Sequence, residues 1–576
     1  MNDPTLGGVR PETALETVLA PLISSDRARW PASLRSLPSK FERFRVQQVS
    51  AIRQLLQGYD AGNRVMVLDA PPGSGKTVIA EAVRRLLRTR GLYICHTRGL
   101  QDQFAEDFDY CSVLKGRSNY PTMRGELYNG PSWSRVTAAD CTKSGEGEDR
   151  RCIWCDPISG CPYEIAKGTL LRSQLGCINS AYFLYECNYV GRLSGFPFVI
   201  IDECDTFESE LMGFIGFELT ERRVREYELG EPRRVTKSEA WLEWVEGAQG
   251  VVRRIYEREK TVDLAGNLPA VRRWNNINRL MSDLGRLKRG LEEGAWVFTG
   301  RDGRVAFKPI RVSEHGKECL WKHGGKFLLM SGTVISGYEI MDSLGGGDLP
   351  WGLVSVPSFF DEERRRVKVV GVADMRKKEL DANRTGIIES VAEAISGIVA
   401  RHPGQRVLVH TVSYDLANDL SVAMVRTHED ARIFTYGNAA ERDRVLAAFT
   451  DDDLHGQRDG SQASDPTTSI LFAPSMDRGI DLPDDACRVI VIVKVPYPYL
   501  GDRQVAARLY SHGGQVWYNV QTVRSIVQMC GRAVRHEDDW AVTYILDRNF
   551  VNGIWAKSRG LFPQWWKDGL DWKDRL

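Results

Sequence analysis

No stretch of this sequence approaches the roughly 18–20 unbroken apolar residues of a membrane-crossing helix, so a membrane-embedded protein is not expected. Neither sign of charge dominates: 77 Lys and Arg stand against 76 Asp and Glu, a net of +1. No whole-chain basic field therefore advertises a polyanion partner, and any nucleic-acid surface has to be local. There is no internal repeat and no long low-complexity tract. The start, Met1-Asn2-Asp3-Pro4, lacks a charged leader followed by an apolar core, which predicts an intracellular, cytoplasmic protein, nucleoid-associated if the host is a bacterium. In a reducing compartment its twelve cysteines read as buried thiols or metal ligands, not disulfides.

What is present is an ordinary folded composition, 42% hydrophobic and 27% charged over 576 residues, enough chain for about three or four units. Apolar runs of strand length at 64–70, 92–95 and 198–201 alternate with helical patterns, and so do runs at 406–409, 469–472 and 489–493. Near-continuous apolar strands alternating with helices imply an α/β fold with two tandem parallel-sheet domains, each covered on both faces. Two inserts interrupt the first: a Gly-, Ser- and Cys-rich one at 111–164 and a largely helical one at 206–318. The expected division is 1–110, 165–205 and 319–350 for the first sheet domain and 351–576 for the second. Within the helical insert, residues 221–290 carry 16 basic and 11 acidic side chains together with Trp241, Trp244, Tyr256 and Trp274. Those aromatics either fill the insert's own core or stack bases of a single strand.

Ala70-Pro71-Pro72-Gly73-Ser74-Gly75-Lys76-Thr77, between an apolar strand and a helix, is a P-loop with Ala in place of the usual first Gly. Backbone N–H groups around Gly73 and Gly75 would wrap phosphate, Lys76 would reach the β/γ-phosphates of ATP, and the Thr77 hydroxyl would ligate Mg²⁺. Asp202-Glu203, ending the strand Phe198-Val199-Ile200-Ile201, supplies the acidic partner: Asp202 for Mg²⁺ and Glu203 to polarise the attacking water. Arg532 and Arg535, three apart in Gln528-Met529-Cys530-Gly531-Arg532-Ala533-Val534-Arg535, share one helix face in the second domain and can act as arginine fingers. Phosphate-binding groups on one domain and arginines on the other make a motor the natural reading.

The order of these motifs resembles the superfamily-two helicases, specifically the iron–sulfur helicases of the XPD/DinG type. Phe44-Arg45-Val46-Gln47-Gln48 looks like that family's adenine-reading segment, which implies Arg45 and Gln48 at the base. The run from Cys95 to Phe104 is similar to its first strand-contacting motif, with Thr97 and Gln103 at the DNA backbone. Met330-Ser331-Gly332-Thr333 resembles the motif coupling hydrolysis to movement, and Asp477-Arg478-Gly479-Ile480-Asp481-Leu482 the late nucleotide-coupling motif, implying Gly479 and Asp481 at the nucleotide. The resemblance runs from about residue 41 to 550, with Gln528 opening the last motif, and implies two RecA-like motor domains with a cluster insert and a helical arch. Asp205 departs from it, standing where Asp-Glu-Ala-His is more usual.

Cys141-x10-Cys152-x2-Cys155-x5-Cys161 gathers four thiolates that could hold a 4Fe–4S cluster or a tetrahedral zinc. The tail Cys161-Pro162-Tyr163-Glu164 resembles the iron–sulfur helicases and so implies the 4Fe–4S cluster, with Cys111 as the substitute if Cys141 is not a ligand. The expectation is an ATP- and Mg²⁺-dependent DNA helicase, a monomeric motor moving 5′→3′ by resemblance on single-stranded DNA and at junctions, in repair or replication. Its rivals are a zinc-bearing RNA helicase and an ATP-switched nucleic-acid-binding or redox-sensing module.

Overall fold

The computed structural model describes residues 12–122, 136–141, 143–144, 151–152, 160–232, 238–262, 264, 267–427, 431–438, 440–451, 468–474, 482, 484–531 and 539–572. Its first sheet has seven parallel strands in the order Trp351–Ser355, Val65–Asp69, Gly324–Ser331, Phe196–Asp202, Gly91–Cys95, Leu175–Asn179, Ser112–Val113. Alternate residues of these strands enter two cores. Val65, Val67, Leu92 and Ile94 join the helical insert's core, while Met66, Leu68, Tyr93 and Cys95 meet the helices Val46–Asp60 and Lys76–Leu86. Burial on both faces is what made these strands read as unbroken apolar runs.

A second seven-stranded parallel sheet runs Arg432–Thr435, Ser469–Ala473, Val407–His410, Val489–Ile492, Val542–Asp547, Val367–Ala373, Leu570–Asp571. Two tandem parallel sheets were therefore rightly expected. The boundary between them needs correction. Strand Trp351–Ser355, assigned by the sequence reading to the second domain, pairs in register with Val65–Asp69 and closes the edge of the first sheet. Its alternating exposure, with Leu353 48% exposed, is that of an edge strand, which carries no long apolar run to betray it.

The insert after residue 206 is built on two long antiparallel-neighbour helices, Ser238–Glu259 and Leu268–Glu293. The second starts where Asn267 accepts the Ala270 N–H and Pro269 occupies the first turn, and it ends at Gly294. The insert is not wholly helical: Phe217–Leu219, Val305–Pro309 and Trp296–Phe298 form a small antiparallel sheet at its root. Trp241 and Trp244 pack on Phe307 of that sheet, and Tyr256 stacks on Trp274 with centroids 4.9 Å apart. Trp241 is buried in the insert's core, while Trp244, Tyr256 and Trp274 are half-buried and keep part of their surface exposed. Trp555, Phe562, Trp566 and Trp572 gather round Phe550 and close the base of the second domain.

Candidate nucleotide site

The P-loop lies between strand Val65–Asp69 and helix Lys76–Leu86, whose start is fixed by Gly75 in a left-handed conformation (φ 76°). The left-handed backbone demands glycine there, and a Cβ would sit 2.4 Å from Gln48 Nε2 and push that side chain off the loop. Gln48 donates from Nε2 to the Ser74 carbonyl at 2.9 Å, and Arg45 donates to the Gly73 carbonyl at 3.1 Å. The segment expected to read adenine thus also braces the loop. Ser74 is fully buried with an unpartnered Oγ, and the loop's shape fits a phosphate chain.

Lys76 Nζ lies 3.3 Å from Glu203 Oε1. Burial acts to lower the Lys76 ammonium, but Glu203, Asp202 and Asp205 outweigh it and hold it above its ordinary value. Burial, with Glu203 beside it, pushes Asp202 up to about 6. The Tyr93 hydroxyl donates to Asp202 Oδ2 at 2.7 Å and is within hydrogen-bonding reach of Thr77. One phenol therefore spans the two side chains suited to a divalent cation, a hard carboxylate and a hydroxyl, which is the donor set Mg²⁺ takes. Glu203 itself has left-handed backbone (φ 48°), an unusual conformation for a side-chain-bearing residue that lifts its carboxylate off the strand's end toward Lys76.

Asp205, the departure from the usual quartet, proves to be a hub. It accepts from Ser331 Oγ at 2.7 Å, Thr333 Oγ1 at 3.3 Å and Gln528 Nε2 at 2.8 Å. Gln528 also donates to Thr333 Oγ1 at 2.9 Å, while its Oε1 is buried without a partner. The end of the acidic strand, the Ser-Gly-Thr turn and helix Gly514–Cys530 of the second domain thereby meet on one carboxylate. Arg532, Arg535, Gly479 and Asp481 fall outside the described residues. Cys530 and Gly531, which precede the arginines, line an open cleft with Pro71 and Pro72 of the P-loop.

Among the cysteines, Cys141 is buried in the core shared with the helical insert, and Cys161 packs against that same core where it begins helix Pro162–Arg172. Lys143, two residues past Cys141, pairs with Cys152 in a short antiparallel bridge. The backbone thus brings the positions of Cys141 and Cys152 near one another; among the described residues no group of three or more side chains is gathered as for a metal ion. The side chain of Cys152 and all of Cys155 lie outside the described residues. Cys111 packs in the core on the opposite face of the sheet, beside the Cys177 thiol, away from that set. Arg272 of the second long helix pairs with Asp140 at 2.6 Å and ties the insert to the residue before Cys141.

Sequence reasoning missed three participants: Tyr93, Asp205 and Arg524, whose guanidinium enters the first domain from the second. Arg524 had a visible signal, as the one charged residue among the apolar Val523, Ile526 and Val527, one turn before Gln528. Thr97 caps its helix by accepting the Leu100 N–H, and both Thr97 and Gln103 are exposed, open to a passing strand.

Comparison with known proteins agrees with this arrangement. Residues 395–569 match the helicase C-terminal domain family, and residues 42–146 match the type III restriction enzyme res subunit family. The ATP-dependent DNA helicase CHL1 of Saccharomyces cerevisiae is 26% identical over 195 residues, 30% of this chain and 20% of the relative. The Fanconi anemia group J protein homolog of Gallus gallus is 27% identical over 130 residues, 20% of this chain and 10% of the relative. The matches thus span a fifth or less of these relatives' own length. In fold, an XPD helicase structure covers 92% of this chain and 98% of its own, with a TM-score of 0.58 at 14% identity. The Xpd4 structure of S. tokodaii covers 92% and 100%, with a TM-score of 0.56 at 12% identity.

Proposed function

We propose that this chain, a superfamily-two helicase of the XPD/DinG type by its two motor domains, hydrolyses ATP to move along single-stranded DNA and open duplex ahead of it. The carrying observation is the meeting of Lys76, Glu203, Asp205, Ser331, Thr333 and Gln528 across both motor domains. A site shared in this way is completed only when the domains approach, so each hydrolysis can be converted into relative motion. Lys76 binds the phosphates, Thr77 and Asp202 hold Mg²⁺, and Glu203 takes the proton of the attacking water. Mg²⁺ would neutralise charge developing on the phosphoryl oxygens. Gln528 offers its free Oε1 to the water, and Arg532 and Arg535 stabilise the transition state from the second domain. Arg45 and Gln48 flank the base, and Gly479 and Asp481 belong to the motif that couples to the nucleotide from the second domain.

Cys141, Cys152, Cys155 and Cys161 would hold a 4Fe–4S cluster. Its ligation would supply the folding energy that a loop-rich insert of about 50 residues lacks. Polarity is proposed as 5′→3′, and the substrate as single strands and junctions. The domain division is proposed as before, with 351–355 transferred to the first motor domain.

The test is ATP hydrolysis by anaerobically purified protein with and without single-stranded DNA, with Lys76→Ala as control. Strong stimulation by DNA, abolished in the variant, supports the reading. Stimulation by RNA alone would favour an RNA helicase, and hydrolysis indifferent to both would favour an ATP-switched binding module. Displacement of strands from 5′- and 3′-overhang duplexes reads the direction, and absorbance near 400 nm distinguishes an iron–sulfur cluster from zinc.

A further inference from the structure

Two arginines of the second motor domain are buried inside the first. Arg508 (helix Arg503–Tyr510) donates to Ser343 Oγ at 2.9 Å and pairs with Glu208 at 3.1 Å. Arg524 (helix Gly514–Cys530) is 1% exposed and reaches further. It donates to the Thr333 carbonyl at 3.2 Å, the Val334 carbonyl at 3.4 Å and Glu339 Oε2 at 3.3 Å, with the Asp205 carboxylate 3.9 Å away. Burial acts to lower its charge, but Glu339, Asp205 and Glu208 outweigh that and keep the guanidinium protonated.

A buried cation with this donor set does something an aliphatic side chain of equal size could not. Its planar fork holds the two carbonyls that follow the Ser-Gly-Thr turn, while the next turn of the same helix places Gln528 on Asp205 and Thr333. The turn carrying Thr333 is gripped from both sides, by Asp205 of the acidic strand and by Arg524 of the second domain. Any shift of Asp205 as nucleotide binds must move helix Gly514–Cys530 or break a buried ion pair.

We infer that Arg524 is a positioning residue that transmits the state of the nucleotide site to the second motor domain through Thr333 and Glu339. This rests on the motor reading for its biological meaning but not for its physical test. It touches no reacting atom, so its loss should leave ATP binding intact while uncoupling the second domain.

The experiment compares the full-length protein with Arg524→Gln and Arg524→Lys. Two readouts are used: steady-state ATP hydrolysis with and without single-stranded DNA, and hydrogen exchange with and without a non-hydrolysable ATP analogue. In the parent, the analogue should protect both the P-loop and helix Gly514–Cys530. In Arg524→Gln the P-loop should stay protected and the KM for ATP should stay within about three-fold, while protection of the helix disappears and DNA-stimulated kcat falls at least about ten-fold. Arg524→Lys keeps the charge on Glu339 without the fork and should recover part of the helix protection.

Arg524→Gln retaining helix protection would overturn the inference. So would simultaneous loss of P-loop protection, which would make the residue merely structural. If the parent shows no stimulation by DNA yet transmits protection to the helix through Arg524, the motor reading fails and the inference stands.

Discussion

At the scale of single residues, the first sheet and the helices packed on it bury charge in places that can be titrated or broken. Asp69, at the end of the P-loop strand, has an unpartnered buried Oδ1, and burial raises its carboxyl to about 6. An unfolded aspartate titrates near about 3.9. The folded state therefore holds this proton more tightly. The stabilisation that this supplies is complete below pH about 4 and is lost as pH rises through about 6. Asp69→Asn, neutral throughout, is expected to melt higher than the parent at pH 8, with the gain vanishing below pH about 4. A melting series across that range checks it, and a gain independent of pH would refute it. Lys167 and Glu186 form an ion pair only 3% and 4% exposed. Glu186→Gln leaves the ammonium buried and uncompensated, at an expected cost of about 3–5 kcal/mol in denaturant unfolding. Replacing both by apolar residues should recover most of that loss. A single-variant cost below about 1 kcal/mol would mean the pair is not buried in solution.

At the scale of elements, helix Gly514–Cys530 carries both Arg524 and Gln528, so its placement governs the cleft. A Cβ on Gly514 would lie 1.9 Å from the Arg508 carbonyl oxygen, a backbone atom that cannot swing aside. Gly514→Ala should force the helix away from helix Arg503–Tyr510 and destabilise the protein by about 1–3 kcal/mol. DNA-stimulated hydrolysis should fall along with it, and unchanged stability would show that the turn relaxes without moving the helix.

The elements also explain what could be read without the fold. Strands buried on both faces announce themselves by composition, so Val65–Asp69 and Phe196–Asp202 were legible, and with them the P-loop and Asp202-Glu203. The half-exposed edge strand Trp351–Ser355 was not, because pairing and not hydrophobicity defines it. Tyr93 and Asp205 were missed for a related reason. Tyr93 looks like one more core aromatic until its hydroxyl is found on Asp202, and Asp205 gains its role from donors at 331, 333 and 528, far along the chain. The tryptophans of the helical insert carried an ambiguous signal that packing answers for Trp241, which is buried, while Trp244 and Trp274 are half-buried.

At the scale of the whole molecule, the helical insert touches both motor domains. Its root meets the second domain where Lys308 pairs with Asp502 at 3.2 Å, Arg301 donates to the Gly501 carbonyl at 2.7 Å and Gln504 donates to the Ile310 carbonyl at 2.8 Å. Its far helix meets the cysteine insert through Arg272 and Asp140. A chain of contacts thus runs from the second domain through the insert to Asp140, the residue before Cys141. Combining Lys308→Ala with Arg301→Ala removes partly exposed contacts and should change stability by no more than about 1 kcal/mol. Strand unwinding is expected to slow by about 2–30-fold, while DNA-stimulated hydrolysis stays within about two-fold. Equal losses in both would mean the root does not transmit motion.

The pairing of the P-loop strand also sets a timetable. Among the described residues Val65–Asp69 pairs with Gly324–Ser331 and Trp351–Ser355 alone, so its two neighbours are not both present until residue 355 has been synthesised. At about 5–20 residues per second the ribosome takes about 15–60 s to make them. Through that interval the nascent chain carries an unpaired apolar strand, open to chaperones and to wrong partners. The cysteine insert, by contrast, is complete by residue 161. A chain released before residue 355 can therefore have all four cysteines of the insert and a full P-loop sequence, and still lack the paired strand that holds the loop in place.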